Sequence, residues 1–443
     1  MWACVYTMST TTALRMRVVW ARIVASLALP GPSSQPSDQI PANIGRVSLP
    51  HVSDPQRRAR LAQRQRLAPS TRTDDVAAIA DSLVALHSSD PATVYLSVAA
   101  RMREPGVAAT AAALHDARSI IRHHGMRRTL WVCTPDGARV MHASSTLDIA
   151  RAEWQQLAKW AAASGMDDPL GWIDATREHT LAALHRLGPS SARELGRAVP
   201  ALTEKLLMGT GKWAAPQPVH TRMLLNLGFD GAIVRTAPTG SWVSSEYRWA
   251  VTDDWLPGGL HGLEPVDARI RLVRDYLRAF GPATTADVQW WTGWTAGPTK
   301  AAIAANDAVE VTLDGGLAGW VLPDDVPSDA AADEPWVALL PGLDSTAMGW
   351  KDRNFYLGEH GAFGGPLFDR NGNVGPTVWA NGEVVGAWTQ RVDGSIVHEL
   401  VRPVAPATAR AIAAAADQLR AVIGDARVTP RFPAPLQKSL AAG

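Results

Sequence analysis

Two stretches of this chain repeat one order of elements, and that repetition limits the fold more than any single motif. In the first, Thr176 to Leu187 is an amphipathic helix ending at Gly188-Pro189, and Ser190-Ser191 cap a short helix from Ala192 to Val199. A Pro-rich insertion precedes a third helix, His220 to Leu227. A ribbon follows, Ala232 to Thr236 with Trp242 to Trp249, joined through Pro238-Thr239-Gly240. In the second, Asp267 to Phe280 stops at Gly281-Pro282, Thr284-Thr285 cap Ala286 to Trp291, and Gly297-Pro298 opens a helix to Asn306. Val309 to Leu313 and Ala318 to Leu322 then flank Asp314-Gly315-Gly316. Three helices followed by a hairpin is the winged-helix arrangement, a helix-turn-helix with a β-ribbon wing.

The remaining patterns extend this to an α+β chain with tandem winged-helix domains and a small β-rich, barrel-like C-terminal domain. Ser53-Asp54-Pro55 caps an Arg-rich helix to about Arg66, and helices are expected over Asp74 to Leu86, Ala92 to Arg103 and Val107 to His123. Arg128 to Cys133 has strand character, and Pro135 to Ser144 and Leu147 to Ala163 return to helix. From Trp336 short strands alternate with turns. Val378-Trp379-Ala380 and Val384 to Trp388 around Asn381-Gly382 signal a hairpin, and a helix from Pro406 to Ile423 closes the domain. The boundaries that follow are 46–172 for a first winged-helix-like unit, 173–265 and 266–330 for a second and third, and 331–443 for the β-rich part. Residues 1–45 are expected to be a disordered extension or a mis-assigned start. Arg15 to Leu29 is faintly like a signal peptide, but Arg22 interrupts its apolar run.

Composition rules out several classes. At 443 residues, 46% hydrophobic and 19% charged, the chain has the make-up of an ordinary globular protein, and no run approaches the ~20 apolar residues a bilayer span needs. The net charge of +1 is no polycation, yet ten arginines lie between Arg15 and Arg72 against Asp38 and Asp54, so a local basic face is available. Two cysteines, Cys4 and Cys133, supply neither a disulfide framework nor a thiolate zinc site, and a reducing cytoplasm fits. Twelve histidines include no HExxH pairing, so no metal and no cofactor are expected.

The richest local stretch is Leu83 to Met102, LVALHSSDPATVYLSVAARM. An apolar helix is expected to break at His87-Ser88-Ser89-Asp90-Pro91 and restart as a second helix. A break between two buried helices holds polar side chains in fixed places, as a reactive site requires. Read without context, Ser88, Ser89 and Asp90 before Pro91 are equally a helix N-cap, a feature contributing ~0.5–2 kcal/mol.

This stretch resembles the signature of the winged-helix DNA glycosylases that excise bulky alkylated bases, where a Leu-Gln-x-Gln-Asp-Pro step precedes a Leu-Ser-x-x-Ala-Arg helix. Leu86, Asp90, Pro91, Leu96, Ser97, Ala100 and Arg101 match, while His87 and Ser89 replace the two glutamines. Met126-Arg127-Arg128-Thr129-Leu130 is similar to the family's Arg-Gly-Thr-Leu-His strand start, with Arg128 for Gly and Trp131 for His. Leu343-Asp344 to Arg353 is similar to its Asp-x-x-x-Met/Leu-Gly-x-x-x-Arg segment.

The resemblance covers about Val47 to Pro403. It implies that His87 and Ser89 are catalytic, holding the attacking water, with Asp90 supporting them. A neutral imidazole of ordinary pKa near 6.5 can serve as general base. Arg127, Arg128 and Arg353 are expected at DNA phosphates, Arg128 equally as a solvated loop end. Asp344 supports the cleft or pairs with Arg353. Trp290, Trp291 and Trp294 are expected in the core more than on extruded bases. No lysine lies near the signature for a Schiff base, so lyase chemistry is not expected.

The expected activity is monofunctional hydrolysis of the N-glycosidic bond of bulky N7-alkyl purines or crosslinks, by a cytoplasmic, nucleoid-associated monomer whose partner is damaged duplex DNA. The competing class is a non-enzymatic DNA-binding regulator or lesion-binding protein.

Overall fold

Three helices begin with capping boxes where the sequence places them. In the computed structural model, which describes residues 49–209, 211, 214–326, 334–358 and 365–442, Ser53 and Gln56 exchange side-chain and backbone hydrogen bonds to open Asp54–Arg64. Ser191 and Glu194 do the same for Ala192–Ala198, and Thr284 and Asp287 for Thr285–Thr292. Each box satisfies two backbone donors at a helix start. The expectation for residues 1–45 lies outside the described residues.

Two expected helices stop early and give way to strands. The helix expected over Asp74 to Leu86 spans Val76–Ser82, after which Val84 turns the chain at φ 61 and Leu86–His87 joins a sheet. The helix expected over Val107 to His123 spans Ala108–His115; Arg118 turns the chain at φ 53, and Ile121–Gly125 is a fully buried strand. A left-handed residue breaks the helical ladder in both places, and burial in a paired sheet outweighs local preference.

The resulting five-stranded antiparallel sheet runs Leu86–His87, Thr129–Cys133, Ile121–Gly125, Ile233–Pro238, Tyr247–Val251, joining strands from either side of residue 172. The second repeat has its expected order: helices Pro265–Phe280, Thr285–Thr292 and Ala296–Ala304, then the hairpin Val309–Leu313 with Ala318–Val321, which His51–Val52 extends in parallel. The Pro-rich insertion forms a two-stranded ribbon, Lys205–Met208 with Ala215–Pro218.

The C-terminal part is not barrel-like. Its four strands, Val337–Leu340, Thr377–Ala380, Glu383–Gln390 and Ile396–Leu400, form an open antiparallel sheet. Closure is unnecessary because both faces are covered. Leu339, Val378, Val385 and Trp388 pack beneath Ile412, Leu419 and Ile423 of the helix Pro406–Ile423, while Leu340, Trp379 and Ala387 join the main core. The Pro-rich tail adds a helix, Pro435–Ala442. Among the described residues no helix is long and apolar enough to cross a membrane.

Candidate active site

The Leu86–His87 strand lies at the edge of the five-stranded sheet, with His87 directly opposite Trp131. Paired residues point to the same face, and the two rings sit 4.8 Å apart. The imidazole is 5% exposed. Its Nδ1 accepts the Ser89 backbone N–H at 3.4 Å, which places the proton of the neutral ring on Nε2. Burial, with repulsion from Arg127, pushes His87 down to about 3, so it is uncharged at neutral pH. The sequence suggested a kink between two helices with an ordinary histidine; the structure has a strand edge with a strongly depressed one.

Asp90 is the N-cap: one carboxylate oxygen accepts the Ala92 N–H at 3.1 Å and opens the helix Pro91–Ala99. The other accepts the backbone N–H of Arg431 at 2.9 Å, and the Arg431 guanidinium donates to the Ser89 carbonyl at 3.2 Å. Ser89 itself is half-buried, and its hydroxyl makes no hydrogen bond among the described residues. Both the capping reading and the reading as a held polar step therefore apply to these residues.

Every residue of the helix Pro91–Ala99 is buried, and its polar positions face the Asp344 segment. Thr93 donates to the Gly342 carbonyl and Ser97 to a carboxylate oxygen of Asp344. Arg101, one turn on, grips both oxygens of Asp344 at 2.9 and 3.0 Å and also donates to Thr346. Burial pushes the Asp344 carboxyl up, but the Arg101 charge and the hydrogen bonds from Arg101, Ser97 and Thr346 hold it below the usual carboxylate range. Asp344 is thus paired with Arg101 and not with Arg353. A further bond, from Ser345 to the Ala85 carbonyl at 2.7 Å, ties this segment to the signature across 260 residues.

Arg127 and Arg353 meet at Trp290. The guanidinium of Arg127 lies 4.5 Å from the half-buried indole ring and that of Arg353 5.3 Å from it. Arg127 has φ 55 and neither a hydrogen bond nor an ion pair among the described residues. Burial and the charge of Arg353 push it down to about 10. Arg353 is buried and donates to the carbonyls of Trp350 and Gly372. Arg128 points elsewhere, to an exposed pair with Glu153. Its φ of 59 suits the glycine of the resembled motif better than a residue with a Cβ.

The tryptophans divide. Trp291 is core, against Tyr276, Phe280 and Trp131. Trp294 donates to Ser145, and Trp290 underlies the two arginines.

The structure therefore brings His87, Ser89, Arg127 and Arg353 into one region, with Asp90 and Asp344 as its anchors, and leaves Arg128 at the surface. Ser97 and Arg101 are visible in the sequence only as matches to the resembled signature, without a task. The complementary charge of Asp344 was the available hint. Nothing in the sequence singled out Arg431. Among the described residues no three histidine, cysteine, aspartate or glutamate side chains gather as a metal would require.

Comparison with known proteins gives three findings. No curated protein matches the chain. Among solved structures, the DNA glycosylase AlkZ of Streptomyces sahachiroi superposes with a TM-score of 0.65 at 20% identity, over 86% of this chain and 99% of that one, a likeness of fold. Residues 80–422, which include every candidate site residue, match the family described as DNA glycosylase AlkZ-like, and the chain belongs to that family.

Proposed function

We propose that this protein is a monofunctional glycosylase of damaged duplex DNA, hydrolysing the N-glycosidic bond of bulky N7-alkyl purines or crosslinks. The observation that supports it best is convergence. Three segments far apart in sequence, at Leu86–Arg101, Arg127–Leu130 and Asp344–Arg353, close on the His87–Ser89 step through Arg101–Asp344, Ser345–Ala85 and the two arginines at Trp290. The tandem three-helix-and-hairpin units are read as winged helices that hold the duplex.

The chemistry suits such a site. N7-alkylation makes the purine cationic and a good leaving group, so the protein must chiefly position water and tolerate an oxocarbenium-like sugar. A neutral His87 with its pKa near 3 is a weak base. It acts by donating its Nε2–H to the oxygen of the attacking water, while the Ser89 hydroxyl accepts from that water as second holder, in the places of the two glutamines. Arg127 and Arg353 supply positive charge for the flanking phosphates. Asp90 and Asp344 act through the residues they hold.

The burial of His87 favours a second reading, a DNA-binding protein without base excision. The two separate when purified protein is incubated with duplex carrying an N7-alkylguanine and abasic sites are counted. Release that collapses in His87→Ala supports the enzyme. Salt-sensitive binding with no abasic product, in wild type as in variant, supports the binding protein.

A further inference from the structure

A second group of cations lies on the opposite face of the central sheet from His87. Leu86, Val132, Arg122, Arg235 and Trp249 sit directly across the strands from one another, and His87, Trp131 and His123 form the neighbouring row that points the other way. Arg122 is 2% exposed. One of its nitrogens donates to the Thr236 carbonyl at 3.3 Å, but its Nε and Nη2 have no hydrogen-bond partner among the described residues.

The ring of Tyr247 lies 4.7 Å from the Arg122 guanidinium and 5.5 Å from that of Arg235, and its buried hydroxyl is also unpartnered. Arg235 rests 4.9 Å over Trp249, again with Nε buried and unmatched. Among the described residues neither arginine has a carboxylate within ion-pair distance. Burial, with the charges of Arg122 and Arg431 adding repulsion, pushes Arg235 down to about 10.

A buried guanidinium with unsatisfied donors and no counter-ion is strongly unfavourable unless something anionic arrives. Water can hydrate such donors but cannot neutralise the charge. The setting indicates which anion. Arg235, Tyr247 and Trp249 line a groove of about 930 Å³, far larger than a lone phosphate requires. On its wall the helix Ala192–Ala198 carries Arg193 and Arg197, exposed, one turn apart, and without ion pairs among the described residues. Four arginines, Arg193, Arg197, Arg235 and Arg248, line this groove against two carboxylates, Glu246 and the Arg248-paired Glu194. That excess of positive charge, running from the rim to a buried donor cluster, matches a polyanion that lays one phosphate deep and others at the surface.

We propose that Arg122, Arg235 and Tyr247 form a binding site for a backbone phosphodiester of DNA, entered through this groove and separate from the Arg127–Trp290–Arg353 cluster. The proposal rests on the reading above that DNA is the partner, but not on base excision.

The test measures binding of an undamaged duplex to the full chain across a salt series, for wild type, Arg235→Gln, Tyr247→Phe and Arg122→Gln, with thermal unfolding of each and base release assayed in parallel. Losing one buried phosphate contact lowers affinity roughly tenfold and reduces the slope of log K against log salt by about 1. That result in folded Arg235→Gln is expected, and it carries the test if Arg122→Gln does not fold. Unchanged affinity and slope in folded Arg235→Gln and Tyr247→Phe overturn the site. Displacement of nothing but inorganic phosphate, with duplex binding intact, overturns it in favour of a small-anion site. DNA binding that weakens as expected while wild type releases no base leaves this site standing and removes the glycosylase reading.

Discussion

Arg101 holds both carboxylate oxygens of Asp344, and neither residue has any exposed surface. The pair joins the helix that follows the signature to the segment that carries Arg353. It fixes the distance between the two parts of the site, because each partner has further bonds, to Gln65, Ser97 and Thr346. A buried pair of this kind is weak evidence of net stabilisation, but removing one partner strands the other's charge.

Asp344→Ala is therefore expected to cost about 3–5 kcal/mol in urea unfolding, while replacing both residues by apolar ones of similar size, Arg101→Met with Asp344→Leu, recovers most of that loss. The sign of the pH effect follows from the carboxyl lying below its usual value. Its contribution is complete above about pH 4, the unfolded value, and disappears as pH falls through the lower folded value. A double variant as unstable as the single one would sink this account.

Stability should also fall between neutral pH and pH 4, for a different reason. His87 drops from 6.5 unfolded to about 3 folded, so the unfolded chain takes up the proton first. Its contribution is complete above 6.5 and is lost progressively towards 3, at about 1.4 kcal/mol per pH unit. His142, at about 4, adds in the same direction. Unfolding midpoints of wild type and His87→Gln, compared at pH 7 and pH 5, should converge as pH falls.

Base release by the same logic stays level from pH 6 to 8, since His87 is neutral throughout. His87→Ala should lower the single-turnover rate by about 10²-fold or more, the usual cost of removing one preorganised hydrogen-bond donor. The double change His87→Gln with Ser89→Gln, which restores the signature of the resembled family, should retain or raise activity. A rate that titrates near pH 6.5 would contradict the buried, depressed imidazole.

Arg127→Ala should weaken duplex binding and flatten its salt dependence by about one unit, without loss of stability, because the charge it removes is unpaired among the described residues. Arg128→Ala is expected to change stability by no more than about 1 kcal/mol, since it breaks only an exposed pair with Glu153. Filter binding and thermal unfolding of the two variants separate them.

Much of this was legible in residue patterns where local chemistry decides structure. Capping pairs at Ser53, Ser191 and Thr284, the Asn381-Gly382 hairpin and the helix Pro406–Ile423 need few distant partners. Leu86 and Ile121 to His123 read as helix ends in the sequence because they are strands by pairing, with histidines and an arginine in buried positions that alternation does not reveal. The polar step at His87–Ser89 was visible, but its burial depends on Trp131 and Arg127, contributed from another strand and turn. The barrel expectation failed because the number of strands says nothing about which helices will cover them. Arg101 was in plain view as a motif match, but its role needed a partner 243 residues away.

The hold of Arg431 on Asp90 and Ser89 spans 341 and 342 residues. During synthesis the His87 step is therefore complete only after Arg431 has left the ribosome. A nascent polypeptide stalled before Arg431 carries the signature helix and its Asp344 clasp, but leaves one Asp90 oxygen and the Ser89 carbonyl without their final donors. Maturation of the site is thereby coupled to synthesis of the segment that carries Arg431, and cleavage after the Pro406–Ile423 helix should loosen the distant Ser89–Asp90 step.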